Sequence, residues 1–224
     1  MVKIILYISI LLLYIILAKG FSPNQFGVKY VNNLNDISNL IEKAPASMYL
    51  IDQHSIGTFV KTYYQKYRIV YGDQTYRDLI VRVSSDFSQK SNRYIGMSLV
   101  NIENDEDPPI LTPLPPGSIF LNNTKYGRWI YEKKKEDFKW KFYSQYRLLP
   151  KLFGWDYFTP NKQFLNKLNE HIKNKRAYWG NNNEFGPNGK VTNDNFPDYF
   201  KRNSIEEINI QSYFDEVLKL NYNL

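Results

Sequence analysis

The chain has 224 residues, a formal net charge of +7 at pH 7 and no cysteine. Without cysteine, disulfides, cysteine-ligated zinc sites, a lipoprotein leader and cysteine-based transpeptidation are all excluded. The length is enough for one medium domain whose core needs no covalent cross-links. The modest positive charge favours weak attraction to anionic surfaces, and without a long basic run it disfavours nucleic-acid binding.

Residues 1–20 have the layout of a secretory signal peptide. A short basic start is followed by the apolar run Ile4–Ala18 and a small-residue exit that ends at Gly20. A spanning helix needs about 20 apolar residues, so this run is short for a membrane anchor. We expect cleavage after Gly20 and a single exported domain over 21–224, with a short membrane anchor as the alternative. Because secreted domains of oxidising compartments usually carry disulfides, the cysteine-free chain points to a bacterial envelope, either periplasmic or secreted.

The N-terminal and central parts have the two-residue periodicity of β-strands. Apolar residues alternate over 67–71 and 79–83 on either side of the turn sequence Gly72-Asp73, which predicts an antiparallel pair. Residues 94–102 are a third candidate strand. Residues 57–66 fit both the helical and the strand period, so the secondary structure of this segment is left undecided.

Four segments have helical features. Asn35-Asp36 can cap a short helix to about Lys43. A helix over 144–153 is limited by its proline, and a helix over 161–175 has one apolar face. Ser204 opens a capping box for a final helix. We predict an α+β fold with antiparallel strands in the N-terminal and central parts and two or three helices, mostly C-terminal.

Residues 105–117 form a proline-rich connector. Five prolines remove backbone N–H groups and fix the chain in an extended form. The connector either separates two subdomains or lies as a strap across one domain. Because Ile110, Leu111 and Leu114 favour burial, the strap is the preferred interpretation.

An aromatic block over 126–158 is the main candidate for ligand binding. Twelve of its 33 residues are aromatic, and the segments 126–131 and 138–143 predict two strands joined by a charged turn. Exposed rings stack on sugars and lysines attract anions. The alternative is a strand with one face in the core and its lysines in water, with Trp129 and Trp140 as cross-strand neighbours. The candidate ligand-binding residues are Trp129, Tyr131, Lys139, Trp140, Lys141 and Trp155.

No motif of useful specificity points to catalysis, a metal or a cofactor. The dinucleotide and phosphate-loop glycine patterns are absent, and the segment from Gly96 lacks the second glycine of a nucleophile elbow. His54 has neighbours that could act with it as a base, but a structural role is favoured, and His171 lies on the apolar face of its helix. Residues 179–200 read as a loop whose oxygen ligands are better explained by turns than by calcium. We therefore predict no catalytic residue, no metal and no cofactor.

Several short segments that contain aromatic residues or glycine lie within residues 115–202. They are Gly127-Arg128-Trp129, Trp140-Lys141-Phe142-Tyr143-Ser144-Gln145-Tyr146, Leu152-Phe153-Gly154, Tyr178-Trp179-Gly180 and Phe185-Gly186-Pro187-Asn188-Gly189. This set resembles a block in exported bacterial proteins of unknown function. The resemblance implies export and a shared domain, and it transfers neither an activity nor functional residues.

These features favour an exported envelope or surface protein with a non-enzymatic binding or structural role. The expected partners are an anionic envelope polymer, lipid head groups or another envelope protein, without nucleic acid. Membrane contact would be transient and made by the signal segment. The alternatives are a hydrolase that acts on envelope glycans or peptides with paired carboxylates, and a secreted effector.

Overall fold

The computed structural model describes residues 2–21, 28–57, 61–133 and 136–203. Within these residues the chain forms a five-stranded sheet, a two-stranded sheet and helices that are mostly C-terminal, which confirms the α+β class. The helix predicted from Ser204 lies outside the described residues. In chain order the elements are α1 (Val2–Phe21), β1 (Tyr30–Val31), α2 (Leu34–Ser38), β2 (Ala46–Ile56), β3 (Thr62–Tyr71), β4 (Tyr76–Val83), α3 (Ser85–Ser91), β5 (Ser98–Ile102), β6 (Gly127–Glu132), β7 (Asp137–Phe142), α4 (Leu148–Leu152), α5 (Lys162–Lys173), α6 (Lys190–Asn195) and α7 (Pro197–Asn203).

The main sheet has five strands in the order β1-β4-β3-β2-β5. The pairs of β2 with β3, β3 with β4 and β2 with β5 are antiparallel, whereas the two-residue β1 runs parallel to β4. The strands predicted at 67–71 and 79–83 are confirmed as parts of β3 and β4, and 62–66 also belongs to β3. The third candidate strand is shorter than predicted, because Asn92–Tyr94 forms a 3-10 turn before β5.

Strand β2, which pairs with both β3 and β5, was not predicted. Its first seven residues, Ala46 to Asp52, are all buried, so the alternation that identifies a half-exposed strand is missing. A β-bulge between Leu50 and Asp52 interrupts the two-residue period as well. Burial on both faces and the bulge together explain why periodicity does not reveal this strand.

The five-stranded sheet separates two hydrophobic cores. One face carries Met48, Leu50, Tyr67 and Ile69, and these pack with residues of α2 and α7 and of the segment around Ile95. The opposite face carries Tyr49, Ile51 and Val70. Against it packs a large aromatic cluster from the C-terminal half that includes Phe120, Tyr126, Trp140, Phe153, Trp155, Phe164, Tyr178 and Phe185. The aromatic cluster is therefore buried as a group.

The proline-rich connector runs alongside β5. Backbone hydrogen bonds join Ile110 to Asn101 in both directions, at 2.7 and 3.0 Å, and join Leu114 to Ser98 at 2.8 and 2.9 Å. Leu114 is fully buried, and Ile110 packs against the aromatic core. The apolar residues of the connector thus cover the outer side of β5.

The helices agree with the sequence in part. Asn161 caps α5 by accepting a 2.8 Å hydrogen bond from the backbone N–H of Phe164, as the Pro160-Asn161 start predicts. The helix predicted at 35–43 is shorter, since α2 begins after Asn33 and ends at Ser38. The 144–153 segment divides into a 3-10 turn and α4. Two short helices, α6 and α7, replace the second half of the loop predicted at 179–200.

Helix α1 contributes no side chain to either core among its described positions. Its large apolar residues from Ile4 to Ile15 are between 41% and 70% exposed. Within the described part of the chain, no helix combines the length and the apolar character that crossing a membrane requires.

Candidate functional site

The β6–β7 hairpin assembles five of the six predicted ligand-binding residues. In its antiparallel register Trp129 lies opposite Trp140, and Tyr131 lies opposite Phe138. Residues two apart share a face, so these four rings form one aromatic face. Each cross-strand pair is edge-to-face with ring centroids 5.2 Å apart, which is a favourable geometry. The predicted Trp129–Trp140 contact is confirmed.

Burial changes steeply along this aromatic face. Trp140 is 4% exposed and belongs to the core, whereas Tyr131 and Phe138 at the turn end of the hairpin are 50% and 43% exposed. Gly127 makes the buried end possible, because a Cβ there would lie 2.8 Å from the Trp140 ring. The hairpin therefore has a buried base and an aromatic tip in solvent.

Trp129 and Trp155 have structural surroundings that limit what they offer to a ligand. The Nε1 of Trp129 donates a 2.8 Å hydrogen bond to Oδ1 of Asn122, and the Lys162 ammonium lies 4.2 Å from its ring centroid. Trp155 is 4% exposed and contacts Phe142 beneath the hairpin. Trp140 and Trp155 are thus packed in the core, whereas Tyr131 and Lys141 are exposed to solvent.

The opposite face of the hairpin carries cations at its base and the acids Glu132 and Asp137 at its turn end. Arg128 and Lys141 occupy directly opposed positions in the ladder, and both are exposed. Like charges in such a position destabilise the strand pair by about 0.2–1 kcal/mol. Lys139 is partly neutralised by Glu132, at 3.2 Å. An anion that contacts Arg128 and Lys141 together would relieve their repulsion.

Strand β7 is fixed to the rest of the fold. The backbone N–H of Trp140 donates to the carbonyl of Pro160 at 2.9 Å, and Nδ2 of Asn161 donates to Oδ2 of Asp137 at 2.8 Å. These bonds hold the strand against the start of α5. The hairpin is therefore preorganised, and a ligand would not have to order it.

Two clefts lie away from the hairpin. One, of about 230 Å³, is lined by Lys43, Asp73, Lys125 and three tyrosines. Burial acts to raise the pKa of Asp73, but hydrogen bonds from Lys43 and Thr75 outweigh it and lower the pKa from 3.8 to about 2. The carboxylate is thus committed to an ion pair within the cleft.

The second cleft, of about 440 Å³, contains the segment that the sequence singled out around His54. Gln53, His54 and Ser55 line it, together with residues from distant parts of the chain that the sequence did not indicate: Tyr63, Ser88, Asn92 and Tyr199. The ring of His54 stacks on Tyr64 with centroids 5.7 Å apart. No local pattern could have found the four distant residues.

The other residues considered for chemistry have structural contacts. His171 donates from Nδ1 to the carbonyl of Ala177 at 2.9 Å, and its ring packs against Tyr178 at a tilted angle, which agrees with a structural histidine. In the loop after α5, Glu184 accepts two 3.0 Å hydrogen bonds from Asn182. Within the described ranges, no group of three or more acidic or histidine side chains is arranged to hold a metal ion.

Comparison with known proteins adds no relative. The chain matches no family model, no curated protein and no solved structure. The resemblance of residues 115–202 to exported proteins therefore stays a prediction, and the function is argued from the site itself.

Proposed function

We propose that this protein is an exported, non-enzymatic component of the bacterial envelope that binds anionic lipid head groups through the β6–β7 hairpin. One observation carries the proposal. The exposed aromatic pair Tyr131–Phe138 forms the tip of a rigid hairpin whose other face presents the opposed cations Arg128 and Lys141.

The aromatic tip suits the boundary between water and lipid. Aromatic side chains combine a large apolar surface with, in tyrosine, a polar end, and they concentrate at membrane interfaces. Tyr131 and Phe138 already contact each other, so their exposed area acts as one patch. With the tip at the boundary, the cations behind it lie at head-group level.

The cations supply attraction to phosphate. Each Lys or Arg near an anionic membrane contributes about 1 kcal/mol. Arg128 and Lys141 repel each other in the free protein, and head-group phosphates would remove that repulsion as they bind. Because the hairpin is anchored at Pro160 and Asn161, little ordering opposes binding.

The proposed export rests on α1. Its apolar residues Ile4 to Ile15 lie exposed instead of packing into a core, as expected of a segment that is read by export machinery and then removed. Mass spectrometry of the protein from a bacterial host tests this. A mature N-terminus at Phe21 supports cleavage, an intact α1 in the membrane fraction supports the anchor, and an intact cytoplasmic protein overturns export.

Vesicle co-sedimentation tests the binding. Protein from the exported fraction is mixed with vesicles of phosphatidylcholine alone or with an equal part of phosphatidylglycerol. We expect binding to the anionic vesicles only, weakened by salt. The double variant Arg128→Glu/Lys141→Glu should lose at least about 10-fold in affinity, since two attractions become repulsions. Tyr131→Ser/Phe138→Ser should weaken binding at all salt concentrations.

A matched control lies at the start of β1, the strand at one edge of the sheet, and at the residue before it. Lys29→Glu/Tyr30→Ser removes one exposed cation and one exposed ring and should bind as wild type. Equal binding to both vesicle types, or equal loss in control and hairpin variants, would contradict the proposal. Retention on purified wall polysaccharide without vesicle binding would contradict lipid binding and would indicate that the partner is a wall polymer.

No specific observation supports the hydrolase alternative. Neither described cleft is lined by a tryptophan or by two carboxylates, and Asp73 is the single acid in the smaller one.

A further inference from the structure

We infer that the 440 Å³ cleft at the ends of β2 and β3 is a second binding site, one that takes a neutral saccharide. It lies between these strands, α3, the 3-10 turn at Asn92–Tyr94 and α7. This inference is independent of the hairpin, which recognises negative charge. The size falls within the range of about 300–1,000 Å³ that is usual for small-molecule sites.

The β-bulge in β2 creates the polar lining. Leu50 pairs with Tyr67, and Gln53 pairs with Gln65. Tyr67 and Gln65 are two residues apart on β3 and therefore share a face, so Leu50 and Gln53 share that face as well. In a regular strand Gln53, three residues after Leu50, and Ser55 would face the opposite side of the sheet. Bulges commonly re-aim side chains next to functional sites.

A hydrogen-bond network holds the cleft in shape. Gln65 is fully buried at its base, accepts from Tyr67 Oη at 2.7 Å, and donates from Nε2 to Gln53 Oε1 at 3.1 Å and to Ser91 Oγ at 2.5 Å. Gln53 in turn donates from Nε2 to Oδ1 of Asn92 at 2.9 Å. A polar network in an otherwise apolar sheet face is costly unless it is satisfied, and once satisfied it is rigid.

The network also orients Asn92 for a ligand. Its Oδ1 accepts from both Gln53 and Tyr199, the latter at 3.2 Å. This fixes the side-chain amide, so that Nδ2 is available as a donor to a group in the cleft. Ser55 and Tyr63 contribute hydroxyls, which both donate and accept.

The lining selects the ligand class. The described residues around the cleft bear amide, hydroxyl, phenol and imidazole groups, and none is an acid, a lysine or an arginine. A charged ligand would lose hydration there without a counter-charge. A sugar matches the lining, because its hydroxyls pair with amides and hydroxyls while its C–H face packs on an aromatic ring such as Tyr63 or Tyr199.

Calorimetric titration of the full chain tests the site. The probes are glucose, mannose, N-acetylglucosamine and their disaccharides, with glucose 6-phosphate as the charged counterpart. At least one neutral sugar should bind saturably, and glucose 6-phosphate should bind more weakly than glucose. Asn92→Asp replaces the Nδ2 donor by a negative charge and should weaken binding at least about 10-fold. Ser55→Trp should block the cleft.

Controls separate this site from folding and from the hairpin. Asn39→Asp and Ser144→Trp make the same changes at exposed positions elsewhere and should leave sugar affinity unchanged. In wild type, NMR should show shifts of the Gln53 and Asn92 side-chain amide signals on addition of the sugar. Vesicle binding by the cleft variants should equal wild type. Absence of saturable binding by every neutral sugar, or unchanged affinity in folded Asn92→Asp and Ser55→Trp, would overturn the inference.

Discussion

Arg68 and Asp78 face each other across β3 and β4 and form a two-pronged ion pair. Nε of Arg68 lies 2.7 Å from Oδ1, and Nη2 lies 2.8 Å from Oδ2. The Asp78 side chain is only 10% exposed, and the Arg68 side chain is 27% exposed. Hydrogen bonding to Asp78 raises the pKa of Arg68. The pair is thus a largely desolvated contact within the main sheet.

Removing one partner of this pair should lower the free energy of unfolding more than replacing both. Asp78→Ala leaves the Arg68 guanidinium partly buried without its carboxylate, and we expect a loss of about 2 kcal/mol in the free energy of unfolding. Arg68→Met/Asp78→Leu should recover part of that loss. Urea unfolding measures both. Asp86→Ala at the exposed Lys90 pair is the control and should cost less than about 0.5 kcal/mol. A double variant less stable than Asp78→Ala would contradict this account.

Gln65 should contribute strongly to the free energy of unfolding. Gln65→Leu leaves the buried Tyr67 hydroxyl without its hydrogen-bond partner and removes one hydrogen bond each from Ser91 and Gln53, so we expect a loss of about 2–3 kcal/mol in urea unfolding. Tyr67→Phe in the same background removes that hydroxyl. The double variant should therefore be more stable than the sum of the two single losses, and strict additivity would count against a coupled network.

The two ends of the hairpin should differ in their contribution to stability. Trp140→Ala removes a core ring and should lower the free energy of unfolding by about 3–5 kcal/mol. Tyr131→Ala, at the half-exposed tip, should cost no more than about 1 kcal/mol. Urea midpoints and slopes of the two variants give the comparison. Equal losses would mean that the tip is part of the core.

Stability should fall in acid partly through Asp73. Its folded pKa of about 2 lies below the ordinary value of 3.8, so its contribution is present above about pH 4 and is lost as the pH falls towards 2. Because its side chain is half exposed, the effect is small and weakened by salt. Asp73→Asn should flatten the stability loss between about pH 4 and 2, whereas Asp107→Asn in an exposed turn should not. An unchanged slope in Asp73→Asn would contradict the assignment.

Sequence periodicity found the elements in which apolar residues recur at regular spacing. Strands β3, β4, β6 and β7 alternate, and α5 has both a cap at Asn161 and an apolar face. Strand β2 escaped because it is buried on both faces and bulged, and α3 escaped because Ser-Asp-Phe-Ser-Gln-Lys-Ser is mostly polar. Such patterns along the chain carry no information on contacts that form only in the folded sheet.

The candidate sites show the same division. Neighbouring strands place Trp129 beside Trp140, so the hairpin was predictable, but its burial gradient depends on packing against residues outside the hairpin, such as Trp155 against Phe142. The cleft was not predictable as a whole. Its residues Gln53 and Tyr199 are far apart in the chain, and the bulge that aligns Gln53 has no signature in the residue types.

The strap formed by the proline-rich connector also determines how this sheet meets other chains. An uncovered edge strand presents free N–H and C=O groups to which a foreign strand can add. Here Ile110 and Leu114 already occupy backbone groups of β5, and the adjoining prolines cannot donate further bonds. At the opposite edge, β1 spans only Tyr30 and Val31. The β5 margin of the sheet therefore resists edge-to-edge growth, whereas at the other margin β1 pairs with only Arg82 and Val83 of β4.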